Sequence, residues 1–119
     1  MERLINAFLN SVRAFGRLIR SETAFQQEVI LLLVAIPVGW FIATNWAIYA
    51  LLIGAILMLI MVEVLNTGIE ATCNAISREF HIDIQLAKDC GSLAVLIAII
   101  ITLGIWGFAL FERLAGASA

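Results

Sequence analysis

The sequence has little charge for its length, because only 13% of its 119 residues are Asp, Glu, Lys or Arg and 63% are hydrophobic. The mean hydropathy is +1.06. Soluble domains usually contain roughly 45–50% apolar residues. The composition therefore excludes a soluble domain and predicts a single integral membrane domain over residues 1–119.

Familiar motifs are also absent. The two cysteines, Cys73 and Cys90, lack the CxxC or Cys/His spacing of a zinc site, so we interpret them as small apolar helix residues. No Walker-type phosphate loop and no protein-kinase signature occurs, so any nucleotide site is of another kind. Seven basic residues against nine acidic ones, spread along the chain, exclude a nucleic-acid partner. No short apolar stretch precedes a signal-peptidase site, so we expect the first helix to be retained.

Residues 3–20 alternate apolar and polar side chains at the helical period, which predicts an amphipathic surface helix over residues 1–22. The apolar stripe contains Leu4, Ile5, Phe8, Leu9, Val12, Phe15 and Ile19. The polar stripe contains Arg3, Asn6, Asn10, Arg13, Arg17 and Arg20. Such a helix suits the headgroup plane, with its arginines against lipid phosphates. Packing on the rest of the protein is the alternative, and both arrangements can hold together.

Three apolar stretches predict transmembrane helices at about residues 25–43, 47–72 and 90–112. Each is long enough, since about 20 residues cross roughly 30 Å of hydrocarbon. Pro37 lies inside the first stretch, where it can kink the helix. The aromatic residues at one end of the first hairpin, typical of an interfacial belt, are Trp40, Trp46 and Tyr49. The predicted fold class is an all-α integral membrane protein with a surface helix and three transmembrane helices.

Positive charge flanks one side of the predicted spans. That side carries Arg3, Arg13, Arg17, Arg20, Arg78 and Lys88. The other side has only Arg113. Because basic residues stay on the cytoplasmic side, the pattern places the N-terminus and the polar connection at residues 72–90 in the cytoplasm.

Glu63, Asn66 and Glu70 share one helical face at the inner end of the second span. A carboxylate at the centre of a membrane helix costs about 2.5 to 3.5 kcal/mol, so such a group is a functional candidate. Glu70 lies about 10 Å nearer the cytoplasm than Glu63 at 1.5 Å per residue, so the two cannot share one ion. This depth difference predicts a metal ligand at Glu70 and a base facing a lipid hydroxyl at Glu63. Asn66, between them, can orient either group.

More polar side chains fall on the same side of the membrane. They are Glu22, Glu28, Glu79, His81, Lys88 and Asp89. Carboxylates with a lysine suit Mg²⁺ and phosphate, because Mg²⁺ completes its shell with water and phosphate oxygens. The cluster therefore predicts phosphoryl transfer. Simpler interpretations stay open: Glu22 can be a helix-start carboxylate. Lys88 and Asp89 can be a solvated pair, and His81 an exposed histidine.

Four segments carry a family resemblance, namely ETAFQQE at 22–28, EVLNTGIEA at 63–71, EFH at 79–81 and AKDCGSLAVLI at 87–97. Together they closely resemble the bacterial integral-membrane diacylglycerol kinase family. The resemblance implies an ATP- and Mg²⁺-dependent kinase that phosphorylates diacylglycerol to phosphatidate in the bacterial cytoplasmic (inner) membrane. It also implies a homotrimer whose active sites are shared between subunits. The departures from the family pattern are Asn74, where Asp is common, and Gln26, where Arg is common.

The resemblance further implies residue roles. Glu63 corresponds to the catalytic base and acts with Asn66, and Glu22 and Glu70 correspond to the metal-binding carboxylates. The nucleotide-binding positions are Arg3, Asn10, Glu22, Glu70, Glu79, Phe80, His81, Lys88 and Asp89. The lipid-binding positions are Ala24, Phe25, Gln26, Gln27, Glu28, Glu63 and Ser92.

The sequence also bears on the number of subunits and leaves alternative functions open. Three helices enclose too little volume for a lipid headgroup and ATP together, and small residues at Gly91, Ala94 and Ala98 permit close helix contact. Both observations favour the homotrimer. An undecaprenol kinase of the same fold is the alternative function. A non-catalytic adaptor or a proton-conducting oligomer is more remote, since the outer half of the spans lacks the acids of a proton path.

Overall fold

The computed structural model describes residues 1–118 and consists of four helices. In chain order they are α1 (Glu2–Ser21), α2 (Thr23–Ile42), α3 (Trp46–Ile76) and α4 (Ile82–Ser118). No strand occurs in this part of the chain. The predicted all-α class is therefore confirmed.

Three of the helices are long and apolar enough to cross a membrane. These are α2, α3 and the Ile82–Gly116 part of α4, of 20, 31 and 35 residues. α1 precedes them as a separate 20-residue helix. The expected arrangement of one N-terminal helix followed by three helices able to span a bilayer is thus confirmed.

α3 and α4 extend well beyond the predicted spans. At 1.5 Å per residue, α3 is about 46 Å long and α4 about 55 Å, against roughly 30 Å of hydrocarbon. The polar stretch at residues 72–90 is consequently mostly helical, and only residues 77–81 lie outside a helix. Asp83 in the first turn of α4 favours this early start, because its charge complements the helix dipole. Helix ends do not locate the membrane, so the bounds of the spans stay predictions.

α1 packs against the beginning of α2 through the end of its apolar stripe and leaves most of that stripe exposed. The Phe15 ring meets the Phe25 ring edge-on, with centroids 5.4 Å apart. The Gln26 amide Nε2 donates to the Ile19 carbonyl at 2.9 Å, which fixes the bend between the two helices. No residue of α1 is buried in the described chain. The exposed apolar stripe suits contact with lipid.

The turn between α2 and α3 is closed by a cap and an aromatic cluster. The Asn45 side chain accepts from the Ile48 amide at 2.9 Å, which starts α3. Trp40, Trp46 and Tyr49 meet edge-on, with centroids 4.7 to 6.1 Å apart. The Tyr49 hydroxyl also donates to the Ile36 carbonyl at 2.8 Å. This bond ties α3 to α2 just before Pro37, through which α2 continues as one helix.

The core lies between α3 and α4, where Leu52 and Ile56 are fully buried. Two side chains of α4 reach backbone carbonyls of α3. Trp106 Nε1 donates to Leu52 at 3.1 Å. The single proton of Thr102 Oγ1 is shared between the Ala98 carbonyl of its own helix at 2.8 Å and the Ala55 carbonyl of α3 at 3.3 Å. These bonds pair groups that hydrocarbon would leave unsatisfied, and they fix the register of the two helices.

The absence of a side chain at Gly39 allows α2 to join this core. A Cβ atom there would lie 3.3 Å from the Tyr49 ring and 3.4 Å from the Trp106 ring. We therefore expect Gly39→Leu to separate the helices and destabilise the protein by about 1 to 3 kcal/mol, as overpacked cores do. Gly107→Leu is the control, because a Cβ there meets nothing within 4 Å. The thermal midpoint in detergent should fall for the first variant only; equal losses would contradict this packing.

Candidate active site

The polar end of the helices is organised by a break in the chain at Glu22. This residue is both the C-cap of α1 and the N-cap of α2, in an extended conformation with φ −107° and ψ 110°. The chain turns here from the surface helix into the first span. The Glu22 side chain is thereby brought next to the C-terminal half of α3.

A cleft of about 460 Å³ separates the end of α1 from α3, and we call it the α1–α3 cleft. It is lined by Arg17, Glu22, Thr67, Glu70, Ala71, Asn74, Ala75 and Arg78. The cleft thus brings together Glu22 and Glu70, the two carboxylates expected to hold metal. It also contains Arg17 and Arg78, neither of which the sequence had suggested as a site residue. Two acids and two guanidinium groups in one cleft suit a metal ion bound together with phosphate.

Glu63 lies deeper along α3, half-buried, in a row of carboxylates. Its charge interacts repulsively with those of Glu70 and Glu22, and also with that of Glu28 on α2. Glu28 Oε1 is buried and has no hydrogen-bond partner among the described residues. Glu63 is therefore flanked in this row by the cleft residues Glu22 and Glu70 and by Glu28 of α2. Interacting like charges favour binding of a cation or a proton.

Asn66 does not point into this cleft. It is 9% exposed and faces α4, where its Oδ1 touches the place that a Cβ of Gly91 would occupy. Within residues 1–118, Oδ1 has no hydrogen-bond partner. Positions 63, 66 and 70 share a broad face of α3, and Asn66 lies at the edge of that face that is nearest to α4. The interpretation that Asn66 sits between the two glutamates is therefore replaced by a position in the α3–α4 interface.

A second cleft, of about 360 Å³, is formed where the chain enters α4, and we call it the α4 cleft. Its lining residues are Arg78, Glu79, Phe80, His81, Ile84, Gln85, Lys88 and Asp89. All five residues expected to bind nucleotide in this part of the chain are therefore together. The Glu79 amide donates to Ser77 Oγ at 3.1 Å, which shapes the turn before α4.

The two clefts adjoin. Arg78 lines both of them. Asn74 of the α1–α3 cleft accepts a hydrogen bond from Lys88 of the α4 cleft, with Oδ1 and Nζ 2.9 Å apart. A ligand with several phosphates could therefore contact both clefts at once.

Other expected site residues lie elsewhere in the chain. Arg3 and Asn10 occupy the exposed first half of α1 and line neither cleft, and Asn10 accepts from Arg13 at 3.3 Å. Ser92 is exposed on α4. Phe25 and Gln26 are engaged by α1. Ala24 and Gln27 are exposed at the start of α2.

An apolar groove of about 480 Å³ lies beneath α1, beside the row of acids. It is lined by Ser11, Ala14, Phe15, Leu18, Phe25, Val29, Leu32, Leu57, Ile60 and Val64. Phe25 is thus the one expected lipid-binding residue that reaches this groove. Val64, next to Glu63 in sequence, marks where the groove approaches the acids.

The donor set suits Mg²⁺. Among residues 1–118, no group of three or more His, Cys, Asp or Glu side chains could hold a metal ion by itself. Mg²⁺ is usually held by one or two carboxylates together with water and substrate phosphates. Glu22 and Glu70, beside guanidinium groups that can bind phosphate, fit that pattern.

Comparison with known proteins shows which family the chain resembles over most of its length. The family model described as prokaryotic diacylglycerol kinase matches residues 9–110. A diacylglycerol kinase of Pseudomonas aeruginosa is 37% identical over 106 residues, which cover 89% of this chain and 86% of the relative. The Escherichia coli K12 diacylglycerol kinase is 37% identical over 93 residues, 78% of this chain and 76% of the relative. The Haemophilus influenzae diacylglycerol kinase is 32% identical over 111 residues, 93% of this chain and 94% of the relative. With this coverage and identity, the chain belongs to the prokaryotic diacylglycerol kinase family.

Proposed function

We propose that this chain transfers the γ-phosphoryl group of ATP to diacylglycerol and forms phosphatidate. The observation that carries the proposal is the row of carboxylates that connects the polar cleft to Glu63. Glu63, inside an apolar helix, interacts with Glu22 and Glu70, which line the cleft. A membrane-embedded acid is costly to keep, so its presence favours chemistry on a membrane-embedded substrate. Family membership supports the same activity.

Glu63 is the proposed general base. It accepts the proton of the lipid hydroxyl as the hydroxyl oxygen bonds to the γ-phosphorus and the bond from that phosphorus to the β-phosphate oxygen breaks, releasing ADP. Phosphoryl transfer depends mainly on positioning and charge stabilisation. We propose a positioning role for Asn66, whose contact with Gly91 sets the spacing of α3 and α4 one residue before Ser92.

The proposed nucleotide site spans both clefts. Mg²⁺, when bound, neutralises charge on the β- and γ-phosphates, and Glu22 and Glu70 are the residues that would hold it. Arg17 and Arg78 of the α1–α3 cleft can pair with phosphate oxygens. In the α4 cleft, the Phe80 side chain is 75% exposed and offers its ring to the adenine base.

The proposed assembly is a homotrimer in the bacterial cytoplasmic membrane, with the site on the cytoplasmic side. Arg3, Asn10 and Ser92 lie outside both clefts of one chain. A neighbouring subunit would bring such residues to a shared site. The distribution of basic residues supports the orientation.

Replacing the proposed base tests the mechanism most directly. We expect Glu63→Gln to lower the rate of phosphate transfer by about 10² to 10⁴, as loss of a general base does, with MgATP binding retained. Turnover would be measured with diacylglycerol and labelled ATP in mixed micelles. Glu112→Gln, an exposed acid near the other end of α4, is the matched control and should keep wild-type turnover. Near-normal turnover of Glu63→Gln would refute the base assignment.

Replacing the cleft carboxylate should change the metal requirement instead. We expect Glu70→Gln to raise the Mg²⁺ concentration for half-maximal activity roughly tenfold, which corresponds to about 1.4 kcal/mol of binding. A Mg²⁺ titration at saturating ATP measures this shift. Glu2→Gln, on the exposed first turn of α1, should leave the titration unchanged. An unaltered requirement in Glu70→Gln would count against its role as a ligand.

The lipid substrate is tested by competition. Equal surface concentrations of diacylglycerol and undecaprenol are offered to the same protein with labelled ATP. We expect label predominantly in phosphatidate, because the residues at 87–95 match the diacylglycerol branch of the family. Preferential labelling of the polyprenol would show that undecaprenol, and not diacylglycerol, is the substrate. The proposal of a lipid kinase would still hold.

A further inference from the structure

A single hydrogen bond joins the walls of the two clefts. Lys88 Nζ on α4 donates to Asn74 Oδ1 on α3 at 2.9 Å, across 14 positions of sequence. Asn74 lines the α1–α3 cleft with Glu22 and Glu70. Lys88 lines the α4 cleft with Glu79 and His81. The ammonium group is therefore held at the boundary between the cleft with the proposed metal ligands and the cleft with the proposed adenine site.

This bond restrains a flexible side chain before any ligand arrives. A lysine has a four-carbon stem with large rotamer entropy. Lys88 and Asn74 are each half-buried, so packing and the hydrogen bond together limit where Nζ can lie. Ordering a binding group in advance removes part of the entropic cost of association.

The bond also leaves the cation available for an anion. An ammonium group has three N–H donors, and the contact with Asn74 uses one of them. The acceptor is a neutral amide, so this contact does not cancel the positive charge as a carboxylate would. Two donors and the full charge remain for phosphate oxygens.

We propose that Asn74 is a positioning residue for the nucleotide, holding the Lys88 ammonium group where the ATP phosphates pass from one cleft to the other. The inference rests on the proposed function only in taking ATP as the ligand. In this inference Asn74 acts by holding Lys88, and Asn74 itself does not need to contact the substrate.

A double-mutant cycle on MgATP binding tests this inference. The purified full chain in detergent is titrated with MgATP and no lipid, as wild type, Asn74→Leu, Lys88→Met and the double variant. We expect Asn74→Leu to raise the Kd about tenfold in the wild-type background and less than about twofold in the Lys88→Met background. A merely structural role would weaken binding by the same factor in both backgrounds, which would overturn the inference. The inference would also be overturned if Asn74→Leu left the Kd unchanged. It would be overturned as well if the wild type did not bind MgATP.

Two further variants serve as controls for this experiment. Asn74→Ala also removes the acceptor, with a smaller side chain, and should reproduce the coupling if the leucine disturbs folding. Thr72→Val removes a hydroxyl that bonds within α3, two residues away and outside both clefts, and should leave the Kd unchanged. Because the cycle contains no lipid, failed phosphorylation of diacylglycerol with intact coupling would refute the substrate proposal alone. Lost coupling with normal turnover would refute the positioning role alone.

Discussion

Hydrocarbon offers no hydrogen bonds, and this constraint determines most of the structure. Backbone groups inside a bilayer must be satisfied within the chain, so the apolar segments fold as long helices. The same constraint explains the polar contacts that remain between α3 and α4. Trp106 donates to a carbonyl oxygen of α3, and the Thr102 hydroxyl lies between carbonyl oxygens of α4 and α3, so burial of their polar atoms costs little. Apart from Phe25 and Asn66, the other buried side chains are small or aliphatic.

The constraint also concentrates charge at one end of the molecule. Glu22, Glu63 and Glu70 are close enough for their charges to interact. Such a cluster costs free energy unless cations or protons compensate it. Arg17 and Arg78 lie in the same cleft as two of these acids. In the proposed function, this arrangement would hold a divalent cation and phosphate in one cleft.

Much of this architecture could be predicted from the sequence, since hydropathy gives the number of long apolar helices and helical period gives the amphipathic α1. The full length of α3 and α4 could not be predicted, because a polar segment can form either a helix in water or a loop. The direction in which Asn66 points could not be predicted either. It depends on which part of a broad helical face packs against α4, and the sequence of α3 alone does not indicate this. The pairing of Asn74 with Lys88 and the grouping of Arg17 with Glu22 and Glu70 arise from tertiary packing, which no local pattern encodes.

The unbroken length of α3 has a consequence for selectivity. One rigid helix carries both Glu63 and Glu70, so the vertical separation of the two carboxylates is constant at about 10 Å. In the proposed mechanism, a substrate would be selected by the level at which the bilayer holds its hydroxyl group. Alcohols anchored with the hydroxyl at the level of Glu63 would meet the proposed base, and alcohols held at the water surface would not. In that mechanism the membrane would set the depth of the lipid hydroxyl, and the protein would need to bind only the remaining parts of the lipid.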